Sequence, residues 1–227
     1  MRNIALACGI LVSVVSVSLG TMSKEELEKT AYDCYLRANL GADINETDFL
    51  VKKREFGKNA CQALIDNGLP SVEQCDKECS ELGFIYYIAE HYIKAVSYYK
   101  KAITLGDESA YLNLANVYGE LGDIFNSNKY NKIGCNKGVA GCCFNLAQDY
   151  IEGKNIIQNY HKAAELYKKA CDMKYGGACN NLGVLYQRGK GVRQNPSTAK
   201  QYYGKACDFG DQTGCDNYKG LHNRGVQ

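Results

Sequence analysis

The sequence predicts an all-α fold, an α-solenoid of antiparallel helix pairs, and three observations carry that expectation. Cys135, Cys171 and Cys207 stand 36 residues apart, and Cys143, Cys179 and Cys215 repeat the same step. The flanking residues keep the register: ELYKKAC before Cys171 is echoed by QYYGKAC before Cys207, and AYLNLANVYGELG and CCFNLAQDYIEG continue the frame upstream at a step of 32. Within each unit the apolar residues fall at helical spacing, as Leu182, Leu185 and Tyr186 do. A repeat of this length cannot bury its apolar face alone and does so by stacking on its neighbours.

Taken in order, the chain opens with Arg2, an apolar run from Ile4 to Leu19 and small residues at Ser18 and Gly20. The run is short for a membrane span, so residues 1–20 are expected to be a secretory signal peptide, with Cys8 inside it. Residues 21–90 are expected to form divergent N-terminal repeats, and 91–227 regular repeats ending in a C-terminal capping helix. Helices are expected at 23–40, 46–67, 72–89, 91–105, 107–120, 123–137, 139–152, 158–173, 175–188, 195–209 and 211–224. Ser71-Val-Glu-Gln74 after Pro70 reads as a capping box that starts the third. Between two later helices, Gly189 and Gly191 supply the stop, Asn195 a cap and Pro196 the first helical position. Where one unit has Gly191 the preceding one has Asn155, the non-glycine residue best suited to a left-handed backbone.

Composition fits a folded chain: of 227 residues, 45% are apolar and two are Pro. The net charge of +2 falls to +1 without Arg2, which argues against a nucleic-acid partner, since phosphate binding needs Lys and Arg gathered in excess on one face. Twelve cysteines less Cys8 leave eleven. Such density in an exported chain implies disulfides, and the odd count one remaining thiol.

The motif A-C-x7-C-x2-L-G-x2-Y-x2-G, here Ala170, Cys171, Cys179, Leu182, Gly183, Tyr186 and Gly189, resembles the Sel-one-like repeat in its disulfide-bearing form, the Helicobacter cysteine-rich protein family. The resemblance implies a tetratricopeptide-like solenoid, export to the periplasm or beyond the cell, and one bridge per repeat. It also implies binding and adaptor roles, with penicillin binding and weak β-lactamase activity as the alternative. One bridge per repeat means Cys135 with Cys143, Cys171 with Cys179 and Cys207 with Cys215, each closing a small loop worth about 2–3 kcal/mol. A metal is not expected, because zinc ligands converge as close C-x2-4-C pairs and the chain has three His; no cofactor is expected either. Cys61 follows Ala60 as Cys171 follows Ala170, and Cys79 precedes Leu82-Gly83 as Cys179 precedes Leu182-Gly183. That parallel suggests a Cys61 to Cys79 bridge, leaving Cys34 with Cys75. Cys142 stands where the later repeat has Ala178 and is expected to be the unbridged, buried thiol.

For function, two sets of residues compete. Ser97 with Lys100 and Ser197 with Lys200 match S-x-x-K, but both lie in second helices of repeats, and the chain has no S-D-N or K-T-G element. They read as solvated helix faces, and no catalytic residue can be named. Asn113, Asn145, Asn181 and Asn217 recur at steps of 32, 36 and 36. Mid-helix Asn is mildly unfavourable, so a ladder of four asks for a reason. In tetratricopeptide domains the matching position faces a concave groove, where an amide can hold a peptide backbone; Asn116, Gln148 and Arg188 fall on neighbouring inner positions. The same amides could instead tie adjacent repeats together. The expectation is a monomeric, exported protein without membrane association once the signal is removed, binding a protein or peptide ligand of cell-wall or host origin.

Overall fold

The computed structural model describes residues 61, 62, 65, 66 and 68–226. The expected signal peptide, the helices expected before residue 60 and Cys34 lie outside the described residues. Among the described residues the chain is all-α, without strands. The helices are α1 (Cys79–Ile88), α2 (Tyr92–Thr104), α3 (Ala110–Glu120), α4 (Ile124–Asn136), α5 (Ala140–Glu152), α6 (Tyr160–Asp172), α7 (Gly176–Arg188), α8 (Pro196–Asp208) and α9 (Gln212–Asn223). The chain divides between Asp107 and Glu108 into two compact units.

In the first unit α1 and α2 pack as an antiparallel pair. The Tyr99 ring lies flat against Gly83, where a Cβ would collide with it. Tyr86 stacks on Tyr98 with ring centroids 4.9 Å apart, and the Tyr98 hydroxyl donates to the Pro70 carbonyl at 2.6 Å. Two expectations fail here. The helix expected from residue 72 starts at Cys79. Half of the capping box forms, the Ser71 N–H donating to Gln74 Oε1 at 3.0 Å, but the Gln74 and Cys75 N–H groups returning to the Ser71 carbonyl close only a single turn. The chain breaks there and restarts one turn later. The break brings Cys75 to a Cα distance of 5.3 Å from Cys79, within bridging range, and these two are joined. Cys79 therefore does not pair with Cys61, nor Cys75 with Cys34: the motif parallel with the later repeats does not extend to the break, which sets Cys75 beside Cys79. Cys61 is buried.

In the second unit α3 to α9 pack in succession, each helix against the next, and first helices of successive repeats touch, α3 with α5 and α7 with α9. Side-chain caps start four of them: Asp123, Asn159, Asn195 and Asp211 each accept from the N–H three residues on. Each such cap contributes about 1 kcal/mol. The connections α5–α6 and α7–α8 are copies. Gly153 and Gly189 turn left-handed after the helix, Asn155 (φ 51°) and Gly191 (φ 70°) do so again, and the Gln158 and Gln194 amides donate back to the Ile151 and Gln187 carbonyls. Only glycine fits at Gly191, because a Cβ there would overlap the Tyr160 carbonyl of the preceding repeat.

Three bridges fasten the second unit. Cys135–Cys143, Cys171–Cys179 and Cys207–Cys215 join the end of one second helix to the start of the next first helix, with Cα atoms 4.6, 4.7 and 4.5 Å apart. The core around the first two consists of Ala147, Ala163, Ala170, Ala178, Leu182, Leu185 and Tyr167. Cys142 is an unbridged thiol, fully buried against Gly134, where a Cβ would collide with its Sγ. Burial alone pushes its pKa up to about 12.

Candidate functional site

The second unit carries two pockets built from the same register positions one repeat apart. The first, about 240 Å³, lies among α3, α4 and α5 and is lined by Gly119, Ile124, Ser127, Asn131, Asn145, Gln148, Asp149, Glu152 and Lys154. The second, about 270 Å³, lies among α5, α6 and α7, and Tyr160, Tyr167, Asn181, Val184, Leu185, Arg188 and Lys190 line it together with Gln148, Ile151 and Glu152. Adding 36 to Ile124, Asn131, Asn145, Gln148, Asp149, Glu152 and Lys154 gives Tyr160, Tyr167, Asn181, Val184, Leu185, Arg188 and Lys190. The two sites are thus one site repeated, and Gln148 and Glu152 belong to both.

Their chemistry differs at the positions that reach the core. Tyr167 fills the inner wall of the second pocket and is 3% exposed; at the same register Tyr99 and Tyr203 are each 1% exposed. In the first pocket this position is Asn131, 2% exposed, and its carbonyl oxygen has no hydrogen-bond partner. Leu185 of the second pocket has Ile85, Val117 and Leu221 as buried register mates, while the first pocket has Asp149. Ser127 likewise replaces the buried alanines Ala95, Ala163 and Ala199. Burial pushes the Asp149 carboxyl up to about 6 and Glu152 adds to the rise, against a smaller opposing pull from Lys154. The Lys154 ammonium itself lies 2.7 Å from Glu152.

The asparagine ladder divides between the two roles open to it. Asn217 donates to Asn180 Oδ1 at 2.8 Å, tying α9 to α7, and lines neither pocket. Asn145 donates to Asn116 Oδ1 at 3.2 Å, tying α5 to α3, yet also lines the first pocket. Asn181 donates to the Tyr167 hydroxyl at 3.3 Å and lines the second. An amide has two N–H donors and two acceptor lone pairs, so Asn145 and Asn181 keep capacity for a ligand after these bonds. Gln148 and Arg188 also line the pockets, and Asn113 sits half-buried on α3 outside both. The reading from sequence missed Asn131, Asp149 and Ser127. The signal was there in the register, where each interrupts a column of Tyr, branched aliphatic or Ala residues.

The serines fall elsewhere. Ser97 donates to the Ile93 carbonyl of its own helix at 3.2 Å, and Ser197 is exposed in the first turn of α8. The S-x-x-K lysine Lys200 donates to the Val226 carbonyl. No described helix is long and apolar enough to cross a membrane.

The Sel1 repeat family matches residues 80–107, 140–175 and 177–211. These stretches hold α1–α2, α5–α6 and α7–α8. Residues 108–139, with α3, α4 and the Ser127 and Asn131 substitutions, keep the register but fall between the matches. No curated protein matches the chain. A Sel1 repeat protein from Oxalobacter formigenes is similar at 22% identity and TM-score 0.60, over 65% of this chain and 62% of that one. A protective antigen of uropathogenic Escherichia coli displaying an SLR fold is similar at 25% identity and TM-score 0.58, over 90% of this chain and 42% of that one. Cysteine-rich protein B of Helicobacter pylori aligns at 29% identity and TM-score 0.42, over 53% of this chain and 95% of that one. The chain thus spans less than two thirds of the first two structures. With its 36-residue register, its helix pairs and its bridges between successive helices, the chain carries Sel1 repeats in an all-α solenoid fastened by disulfides.

Proposed function

We propose that the chain is a binding module that holds an extended segment of a partner protein across the two pockets of its second unit. The observation that supports this best is the sharing of Gln148 and Glu152, which sets the pockets side by side, with Asn145 and Asn181 at the same place in each. An extended peptide rises about 3.3 Å per residue and presents its backbone amides along its length. Two asparagine amides with spare donor and acceptor capacity suit it, and the pockets take alternate side chains. The half-used ladder is consistent with this, since Asn116 and Asn180 orient the amides beside the pockets. Export belongs to the same reading: four bridges among the described residues are what an oxidising compartment permits.

The test is selection of peptides from a displayed random library by the full oxidised chain. Enrichment of related sequences, lost when Asn145 and Asn181 are both changed to Ala, is the expected result. Enrichment indifferent to that double change would place binding elsewhere and overturn the reading.

A further inference from the structure

The first pocket should select a charge. We propose that the pocket around Asn131 and Asp149 receives the cationic side chain of a lysine or arginine in the bound segment. This rests on the peptide-binding reading above and names the chemistry of one of its two subsites.

Three features lead there. The register makes the pocket a departure from the rest of the chain: where other repeats bury Ala, Tyr and a branched aliphatic, this one places Ser127, Asn131 and Asp149 together. All three replacements are polar, and the position that holds a phenol ring in the other repeats here holds an amide. Turning core positions polar weakens a solenoid, which is the pattern of a site kept for a ligand. Next, the Asn131 carbonyl oxygen is buried without a partner, although nearly all such oxygens in folded proteins have one. It asks for a donor. Finally, the lining carries several acceptors, the Asp149 and Glu152 carboxylates, the Ser127 oxygen and the remaining lone pairs of the Asn145 amide, with the Asn131 oxygen buried at the same site. The resident cation, Lys154, makes its ion pair with Glu152 and is more than half exposed, so it acts on Asp149 through its charge and not by direct pairing.

The guest is an organic cation. Among the described residues no group of three or more His, Cys, Asp or Glu is placed to hold a metal ion. At about 240 Å³ the pocket is smaller than the 300–1,000 Å³ typical of whole small-molecule sites, so it suits one side chain. An ammonium or guanidinium brings three to five donors and no acceptor, which matches an acceptor-rich wall; a carboxylate or an apolar side chain would not. The neighbouring pocket, with Tyr167, Leu185 and Arg188, lacks both the inner carboxylate and the open acceptor and would not share this preference.

The experiment selects a phage-displayed library of random dodecapeptides on the full oxidised chain, on Asp149→Asn, and on the double variant Asn131→Tyr, Asp149→Leu. The double variant restores the residues of the other repeats, so it keeps the fold, which its melting curve checks. The expected result is a fixed Lys or Arg in the peptides taken by the parent chain. A synthetic peptide of that sequence should bind Asp149→Asn about tenfold or more weakly, and the double variant should select peptides without the basic residue. A shared motif with no basic position, equally bound by Asp149→Asn, would overturn this inference and leave the peptide groove standing. No enrichment on any of the three proteins would overturn both.

Discussion

The two pockets of the second unit occupy one position in the repeat, yet one is lined at its inner end by Tyr167 and Leu185 and the other by Asn131 and Asp149. Bridges and caps match on both sides of the comparison, although the connection from α3 to α4 is four residues shorter than that from α5 to α6. Cys135–Cys143 and Cys171–Cys179 have Cα separations of 4.6 and 4.7 Å, and Asp123 and Asn159 cap the second helix of each repeat in the same way. The helix-pair scaffold is therefore indifferent to what stands at these inner positions, and a repeat can carry polar chemistry without changing shape. What it loses is stability, because a buried ring and an aliphatic side chain become an amide without a partner and a desolvated carboxylate.

That asymmetry can be broken by exchange. Tyr167→Asn would convert the second pocket towards the first and should cost about 3 kcal/mol in denaturant unfolding, the range for loss of a buried aromatic ring. Asn131→Tyr should cost nothing or stabilise. Equal costs in both directions would mean that the two positions are not equivalent. Next in size, replacing Cys171 and Cys179 together by Ala should cost about 2–3 kcal/mol, as should the same change at Cys135 and Cys143, since both close loops with a separation of eight. A clear difference between the two would show that one bridge supports more than its own junction.

A smaller effect sharpens the comparison through pH. The Asp149 carboxyl is raised to about 6, so its ionised form is disfavoured in the folded chain, which holds a proton that the unfolded chain has released. Its contribution to stability is present below the unfolded carboxylate value near 4 and is lost as pH rises towards 6. Asp149→Leu should therefore stabilise the chain, by roughly 0.5–2 kcal/mol, and by more at pH 7.5 than at pH 5. The charged groups acting on this carboxyl are Lys154 and Glu152. A gain that does not depend on pH would assign the effect to packing alone. The smallest effect concerns Cys142, whose thiol is raised to about 12. In the folded chain at pH 8 it should resist iodoacetamide, and peptide mapping that finds it alkylated before unfolding would contradict its burial.

Much of this architecture could be read from the residues. The 36-residue step of six cysteines, with Asn155 standing in for Gly191, was enough to set the helix pairs and the turns between them, because both follow local backbone chemistry. The junction at Cys75 was not legible. Ser71 to Gln74 carries a sound local signal for a helix start, and the single turn it forms is stopped by a break that no residue from Cys75 to Glu78 announces. The site was half legible. Asn145 and Asn181 stood out as a ladder, but their neighbours Asn116, Asn180 and Tyr167 had to be placed in space before the role of each amide could be divided. Asn131 and Asp149 escaped notice for a different reason: a polar residue in an amphipathic helix looks ordinary until its register mates are known to be buried.

The most direct test of the central claim measures stability and binding on one protein. In the double variant Asn131→Tyr, Asp149→Leu, thermal melting and calorimetric titration with a lysine-containing peptide selected on the parent chain should move in opposite directions. The melting temperature should rise by a few degrees while affinity falls at least about tenfold, as expected for polar groups held at a cost to the fold. A variant that melts lower, or one that melts higher and binds the peptide unchanged, would contradict the account.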